Sequence, residues 1–189
     1  MNFPSTFLRP KKAIQRDIER AILELRSRAK VGLHLGCGGD IIQGLINCDA
    51  FHPAAEMAVG ATDLSQFADA SVDHIETHHM IEHLSFEEAR IAFLEWSRVL
   101  APGAYLVVTC PDFESLIKRW RSSSNADNWR NTIKMFYGSQ EHEGMFHKSG
   151  YSAARLTRMF ADAGLTTVFS FTPYPRRPTP SLCVVAQKT

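Results

Sequence analysis

The sequence has no long apolar run. No stretch approaches the roughly 20 consecutive apolar residues that span a bilayer. Residues 1–12 hold proline and three basic residues but no apolar segment of the secretory-signal kind. Charge of either sign is not in excess: 21 Lys+Arg face 20 Asp+Glu, for a net +1 over 189 residues. Overall charge therefore selects neither a nucleic acid nor an acidic partner, and neither a nucleic-acid nor a membrane role is expected. Cysteine is sparse. Cys37, Cys48, Cys110 and Cys183 form no C-x-x-C pair, which argues against a zinc ribbon and a disulfide framework. The expectation is reduced, mostly buried thiols in a cytoplasmic protein. There is no internal repeat and no low-complexity tract. The remaining composition, 44% hydrophobic and 22% charged, is ordinary globular usage, and the length fits one domain over residues 1–189.

The near-zero charge is a sum of unlike parts. The first thirty residues carry eight Lys/Arg against three Asp/Glu, a local +5, and the rest carries −4. The basic part falls on an amphipathic helix, Lys11 to Lys30, in which Ile14, Ile18, Ile22 and Leu25 recur at helical spacing. Short apolar runs separated by turns follow: Val31–Leu35, Leu45–Cys48, a weak run Met57–Val59, Val72–Thr77, Tyr105–Cys110, Thr166–Phe171 and Leu182–Ala186. Runs of this length with polar or glycine ends read as buried, mostly parallel strands. Helices lie between several of them. Ser85-Phe86-Glu87-Glu88 has the form of a capping box. The helix it opens is expected to turn Ile91, Leu94, Val99 and Leu100 inward and to stop at Ala101-Pro102-Gly103. Phe113–Trp120 and Tyr151–Ala163 read as further helices, and Arg121–Ser149 as a polar, irregular, lid-like insertion. Alternating strands and helices make a doubly wound α/β sheet.

In such sheets ligands gather at the carboxyl ends of the strands. Gly36-Cys37-Gly38-Gly39-Asp40 follows the first run, and glycine lets a backbone turn sharply and approach a ligand. A dinucleotide fingerprint needs a third glycine at position 41, where Ile41 stands, and an acid about 20 residues on. Asp49 ends the second run only 13 residues after Gly36. A carboxylate there suits a ribose diol, since it can accept from both hydroxyls. Asp63-Leu64, after the weak third run, is placed to meet an adenine amino group. Each also has a plain reading as a turn or helix cap.

Leu33-His34-Leu35-Gly36-Cys37-Gly38, Gly44-Leu45-Ile46-Asn47-Cys48-Asp49, Ser71-Val72-Asp73-His74-Ile75, His79-Met80-Ile81-Glu82-His83-Leu84 and Glu95-Trp96-Ser97-Arg98-Val99-Leu100-Ala101-Pro102-Gly103 together resemble class I S-adenosylmethionine-dependent methyltransferases. The likeness is to a compact subfamily in which the first helix after the glycine loop is cut to about a turn. It implies a seven-stranded, mostly parallel Rossmann-like sheet preceded by the N-terminal helix. It also implies S-adenosylmethionine as cofactor: Gly36, Cys37 and Gly38 at the methionine part, Asp49 on the ribose hydroxyls, Asp63 and Leu64 flanking adenine, and His79 near the sulfonium methyl. His34 stands where the family usually has an acid, and Ala104 where a second glycine follows Pro-Gly.

Methyl transfer is an in-line displacement on an activated donor, so the protein mainly aligns the partners and excludes water. An oxygen nucleophile also needs its proton removed, a task suited to histidine. The candidates are His79, Asp112, and His147 or His142 from the insertion. The acceptor expected of so compact a chain is small or saccharide-like, methylated at oxygen. Two rivals stay open. One is a non-catalytic S-adenosylmethionine-binding module serving a partner protein. The other is a histidine-metal hydrolase built on His79 and His83, whose i, i+4 spacing would place them on one helix face. The zinc motif H-E-x-x-H has its Glu directly after the first His, and here Met80 stands there. Glu82 reads as a first-turn residue, and no metal is expected.

Overall fold

The computed structural model describes residues 11–122, 126–174 and 180–189, with no side-chain account of 11–12, 126–131 and 173–174. Among the described residues, six strands form one sheet: β1 (Gly32–Leu35), β2 (Ile46–Cys48), β3 (Val72–His78), β4 (Leu100–Pro111), β5 (Leu165–Tyr174) and β6 (Ser181–Lys188). Their spatial order is β2-β1-β3-β4-β6-β5. The first four pair in parallel, and β6 is antiparallel to both β4 and β5. The expected α/β, mostly parallel sheet is thus present with six strands. The weak run Met57–Val59 supplies a single parallel bridge from Met57 to Cys48. Met57 donates to Asn47 O and accepts from the Asp49 amide, and three residues ahead of Gly60 extend this no further.

Alternation along β3 and β4 separates two cores. Leu33, Ile75, Leu106, Val108 and Val184 face one layer with Phe93, Trp96 and Phe160. These aromatics come from α2 (Phe86–Val99) and α5 (Ala153–Asp162), and Phe93 packs edge-on against both of the others. Val107, Phe169, Phe171 and Val185 face the other layer, under Ile14, Ile18 and Ile22 of helix α1 (Lys11–Arg28). The stripe read from the sequence is therefore the seam by which the N-terminal helix covers the sheet.

That layer also holds a buried ion cluster. His74, Glu76 and His78 share one face of β3 because side chains two apart point the same way. Glu76 accepts from Arg26 Nε and Nη2 of α1, both at 2.8 Å, and from Nε2 of His74 (2.8 Å) and His78 (2.9 Å). With Nε2–H of His78 committed to Glu76, its Nδ1 accepts from Thr109 Oγ1 at 2.9 Å. Burial pushes the Glu76 carboxyl up, but hydrogen bonds from His74, His78 and Arg26 outweigh it and hold the group far below the usual carboxylate range. Half of the histidine-rich stretch is thus structural.

The capping box forms in full: Ser85 Oγ accepts from the Glu88 amide, and Glu88 Oε2 from the Ser85 amide at 2.7 Å. The phase of α2 differs from expectation. Ala89, Ala92, Phe93, Trp96 and Val99 are buried, and Ile91 and Leu94 lie outside at 40% and 44% exposure. Trp96 and Phe93 win because one tryptophan and one phenylalanine bury more area than two aliphatics. α2 ends at Val99 and the chain enters β4 directly, since proline at 102 disfavours helical backbone before it.

Residues 121–149, read from the sequence as irregular, contain a helix. α3 (Phe113–Ser122) is followed by α4 (Ala126–Tyr137) and a short 3-10 turn, Glu143–Met145. Phe136 of α4 packs edge-on against Phe113 of α3 at 5.0 Å. An apolar cavity of about 230 Å³ between them is lined by Phe113, Ile117, Trp120, Ile133, Phe136 and Tyr137. No helix among the described residues is long and apolar enough to cross a membrane. All four cysteines are free and buried.

Candidate active site at the carboxyl edge of the sheet

β1 ends in a glycine turn that runs directly to β2 with no intervening helix. Gly36 has φ +65, and a Cβ there would lie 2.1 Å from Met80 Cγ. Only glycine can make this left-handed turn against that side chain. Gly38 is also left-handed, with φ +51, and a Cβ there would meet nothing within 4 Å, so the turn faces open space. Between them, Cys37 is buried and its amide bonds Cys48 O at 3.0 Å.

Asp49 organises this corner. Its Oδ2 accepts from the Gly38 amide at 2.9 Å, and its Oδ1 from Phe51 and His52 at 2.9 and 3.0 Å. Partial burial pushes the Asp49 carboxyl up, but these N–H groups and the His52 charge outweigh it and hold it below the usual range. Two of its four lone-pair directions lie on Oδ1 and are used, and one remains on Oδ2.

The 61–69 loop is built by α2. Trp96 Nε1 donates to Ala61 O at 2.7 Å. Arg98 donates to Leu64 O and Phe67 O, each at 3.1 Å, and pairs with Glu95 and Asp69. Glu95 Oε1 takes the Leu64 amide at 3.0 Å. Leu64 is fully buried and its N–H is spent, so of Asp63-Leu64 only the exposed Asp63 faces outward.

At the tip of β3 the chain leaves the sheet through His79, whose φ is +54. This is an uncommon conformation for a non-glycine residue, and such strain collects at functional sites. The His79 amide is anchored on Thr109 O at 2.8 Å. Its Nδ1 lies 3.3 Å from Glu82 Oε1, and its Nε2 lies 3.0 Å from Ser181 Oγ. Burial pushes the Glu82 carboxyl up, but His79 and the nearby His83 and His147 more than offset it and lower it. A carboxylate on Nδ1 makes that nitrogen the donor, which leaves Nε2 as the acceptor of the serine proton.

The insertion folds back onto this point. The amides of Lys148 and Ser149 both bond Glu82 O, at 2.8 and 3.1 Å. His147 stacks its ring edge on His83 at 4.9 Å, and burial pushes its pKa down against the opposing pull of Glu82. Asp112 is buried at the start of α3, where its Oδ2 accepts from the hydroxyls of Ser115 and Thr172.

A glycine turn open to solvent, an acid after β2, and the histidine-bearing tip of β3 lie along the carboxyl edge of the sheet. The family model described as a methyltransferase domain matches residues 33–108, the stretch that builds this edge. Residues 33–108 carry the sequence pattern of a methyltransferase domain. No curated protein matches the chain. Among solved structures it is similar to the PH0226 protein of Pyrococcus horikoshii OT3, at 16% identity and a TM-score of 0.62, over 99% of this chain and 95% of that one. It also resembles a SAM-dependent methyltransferase from Archaeoglobus fulgidus, at 14% identity and TM-score 0.61, over 95% of each chain. A third is the 1,6-didemethyltoxoflavin-N1-methyltransferase of Burkholderia thailandensis, solved with 1,6-didemethyltoxoflavin and S-adenosylhomocysteine, at 14% identity and TM-score 0.59, over 95% of this chain and 80% of that one.

The structure brings Gly36, Cys37, Gly38 and Asp49 together in one corner and gathers His79 and His147 about Glu82. His142 is exposed in the loop before the 3-10 turn. The His79/His83 helix face does not form: Ile81–His83 is a 3-10 turn, and both ring nitrogens of His79 are already engaged. Sequence reading missed Glu82 as a buried partner and Ser181 altogether. Ser181 sits 102 residues from His79, and no local pattern marks it.

Proposed function

We propose that this methyltransferase moves the methyl group of S-adenosylmethionine to an oxygen of a small or saccharide-like acceptor, with His79 as the general base. The observation that supports this most is the Ser181–His79–Glu82 arrangement at the β3 tip. The cofactor supplies an activated methyl group when bound. Gly36–Gly38 hold its methionine part, because the turn presents backbone to open space with no Cβ in the way. Asp49 holds the ribose diol. It has one unused acceptor site on Oδ2, so capture of both hydroxyls displaces one of its present N–H donors. Asp63 takes the adenine amino group.

On the acceptor side, Glu82 fixes the tautomer of His79 and stabilises the imidazolium that forms when Nε2 takes a proton. Ser181 Oγ–H now occupies the direction from which an acceptor hydroxyl would donate. Asp112 shapes the acceptor side rather than taking the proton, since two hydroxyls already donate to its carboxylate. His147 and the 138–149 loop cover the cluster.

The test is labelled S-adenosylmethionine with a panel of hydroxyl, amine and carbon acceptors. Methylated hydroxyl product is expected. His79→Gln is expected to lower turnover by about 100-fold or more, with cofactor affinity kept within a few-fold. Transfer only to amines, or an unchanged rate in His79→Gln, would refute the assignment.

A further inference from the structure

We propose that Glu82, His83 and His147 form a binding site for a divalent first-row transition ion of the zinc class. One ligand-capable atom from each of the three lies within 4.8 Å of the other two. They come from two segments: Glu82 and His83 from the turn after β3, His147 from the loop after α4.

Three further observations point to a ligand. First, both rings are pre-set. His83 Nδ1 lies 3.1 Å from Phe146 O, and His147 Nδ1 lies 2.8 Å from Met135 O. A carbonyl only accepts, so Nδ1 carries the proton in each ring and Nε2 keeps its lone pair. Metal-bound histidines are oriented in this way, by giving the other N–H to a carbonyl or carboxylate. Second, among the described residues neither Nε2 has a hydrogen-bond partner. Third, Glu82 is only 2% exposed and its Oε2 is buried with no partner, while Oε1 serves His79. A buried carboxylate oxygen without a donor is costly unless a cation meets it.

Two imidazoles and one carboxylate are a donor set of intermediate softness that suits zinc, cobalt, iron or nickel and does not suit magnesium or calcium. Bond lengths near 2.1 Å put tetrahedral ligands roughly 3.4 Å apart, so donors lying within 4.8 Å of one another close by at most about 1.4 Å on binding. Three protein ligands leave a position for water, the pattern of an open site rather than a closed structural one.

The site shares Glu82 with the proposed base His79, through the other carboxylate oxygen, and its test reads metal uptake rather than methyl transfer. The test uses the whole chain, stripped with a chelator and dialysed against Zn²⁺, with Co²⁺ as a spectroscopic probe. One zinc per chain is expected, together with a visible Co²⁺ absorption that zinc abolishes. His83→Asn and His147→Asn are each expected to weaken Zn²⁺ binding by about 100-fold or more, beyond the effect of losing an outer partner. His142→Asn, on an exposed histidine of the same loop, is expected to bind as the parent does. Circular dichroism of the metal-free samples establishes that the variants are folded. A parent chain that takes up no stoichiometric zinc overturns the proposal whatever the variants do. Equal affinity in the parent and in both histidine variants overturns it as well.

Discussion

Arg26→Met isolates the buried charge cluster under the N-terminal helix. Glu76 is fully buried and Arg26 is 21% exposed at its side chain. Arg26 supplies two of the four hydrogen bonds on Glu76, both at 2.8 Å. Methionine keeps the apolar stem and removes the charge. Breaking a buried pair from one side typically destabilises by about 3–5 kcal/mol. Two imidazole donors remain on Glu76 and the guanidinium is partly hydrated, which places this case near about 3 kcal/mol. For a chain of this size that lowers the melting temperature by roughly 6–12 °C. Urea unfolding followed by circular dichroism checks it, with a fall in the midpoint at unchanged slope. The pH dependence has a definite sign. The folded-state pKa of Glu76 lies below its ordinary value of 4.5, so its contribution is present above that value and is lost as pH falls beneath it. Arg26→Met should therefore lose more stability at pH 7 than at acid pH. Glu76→Gln in the Arg26→Met background should add less than it does alone, because the two residues are coupled. A loss under about 1 kcal/mol, or strict additivity of the two changes, would refute the cluster as the tie between α1 and the sheet.

Gly36→Ala is expected to destabilise by at least about 2 kcal/mol, because alanine resists the left-handed turn and its methyl would collide with Met80; denaturant titration reads the effect. Arg98→Ala is expected to remove about 1–2 kcal/mol of stability, with protease cleavage appearing first between residues 61 and 69, the loop it ties down. The native protein should react with no thiol reagent until unfolded. All four cysteines are buried, and burial pushes the Cys48 thiol up to about 11; four thiols should then titrate in denaturant, and fast labelling of the native state would contradict the packing.

What was legible in the sequence was local. The Ser85–Glu88 capping box, the stripe of α1, and the turn at Gly36 each rest on residues a few positions apart, and each forms. The order of strands and helices gave the layer type for the same reason. What escaped was long-range. Glu76 meets Arg26 across 50 residues, and His79 meets Ser181 across 102. No periodicity reports such contacts, so the histidine-rich stretch could not be divided into a structural half and a site half. Ile91 and Leu94 misled because two helical phases were available and the aromatics decided between them. In α4, Ile133 and Phe136 stand at helical spacing, but polar residues surround them and give the segment an irregular pattern. The weak run at Met57 gave one bridge and no strand, because it is too short to hold a ladder.

Isothermal calorimetry with S-adenosylhomocysteine tests the central claim most directly, that the Gly36–Gly38 turn and Asp49 form the cofactor site. The account predicts one ligand bound per chain. It also predicts a loss of about 10- to 100-fold in affinity for Asp49→Ala, the worth of charge-assisted hydrogen bonds to a diol. Absence of binding at millimolar ligand, or equal affinity in Asp49→Ala, would contradict it.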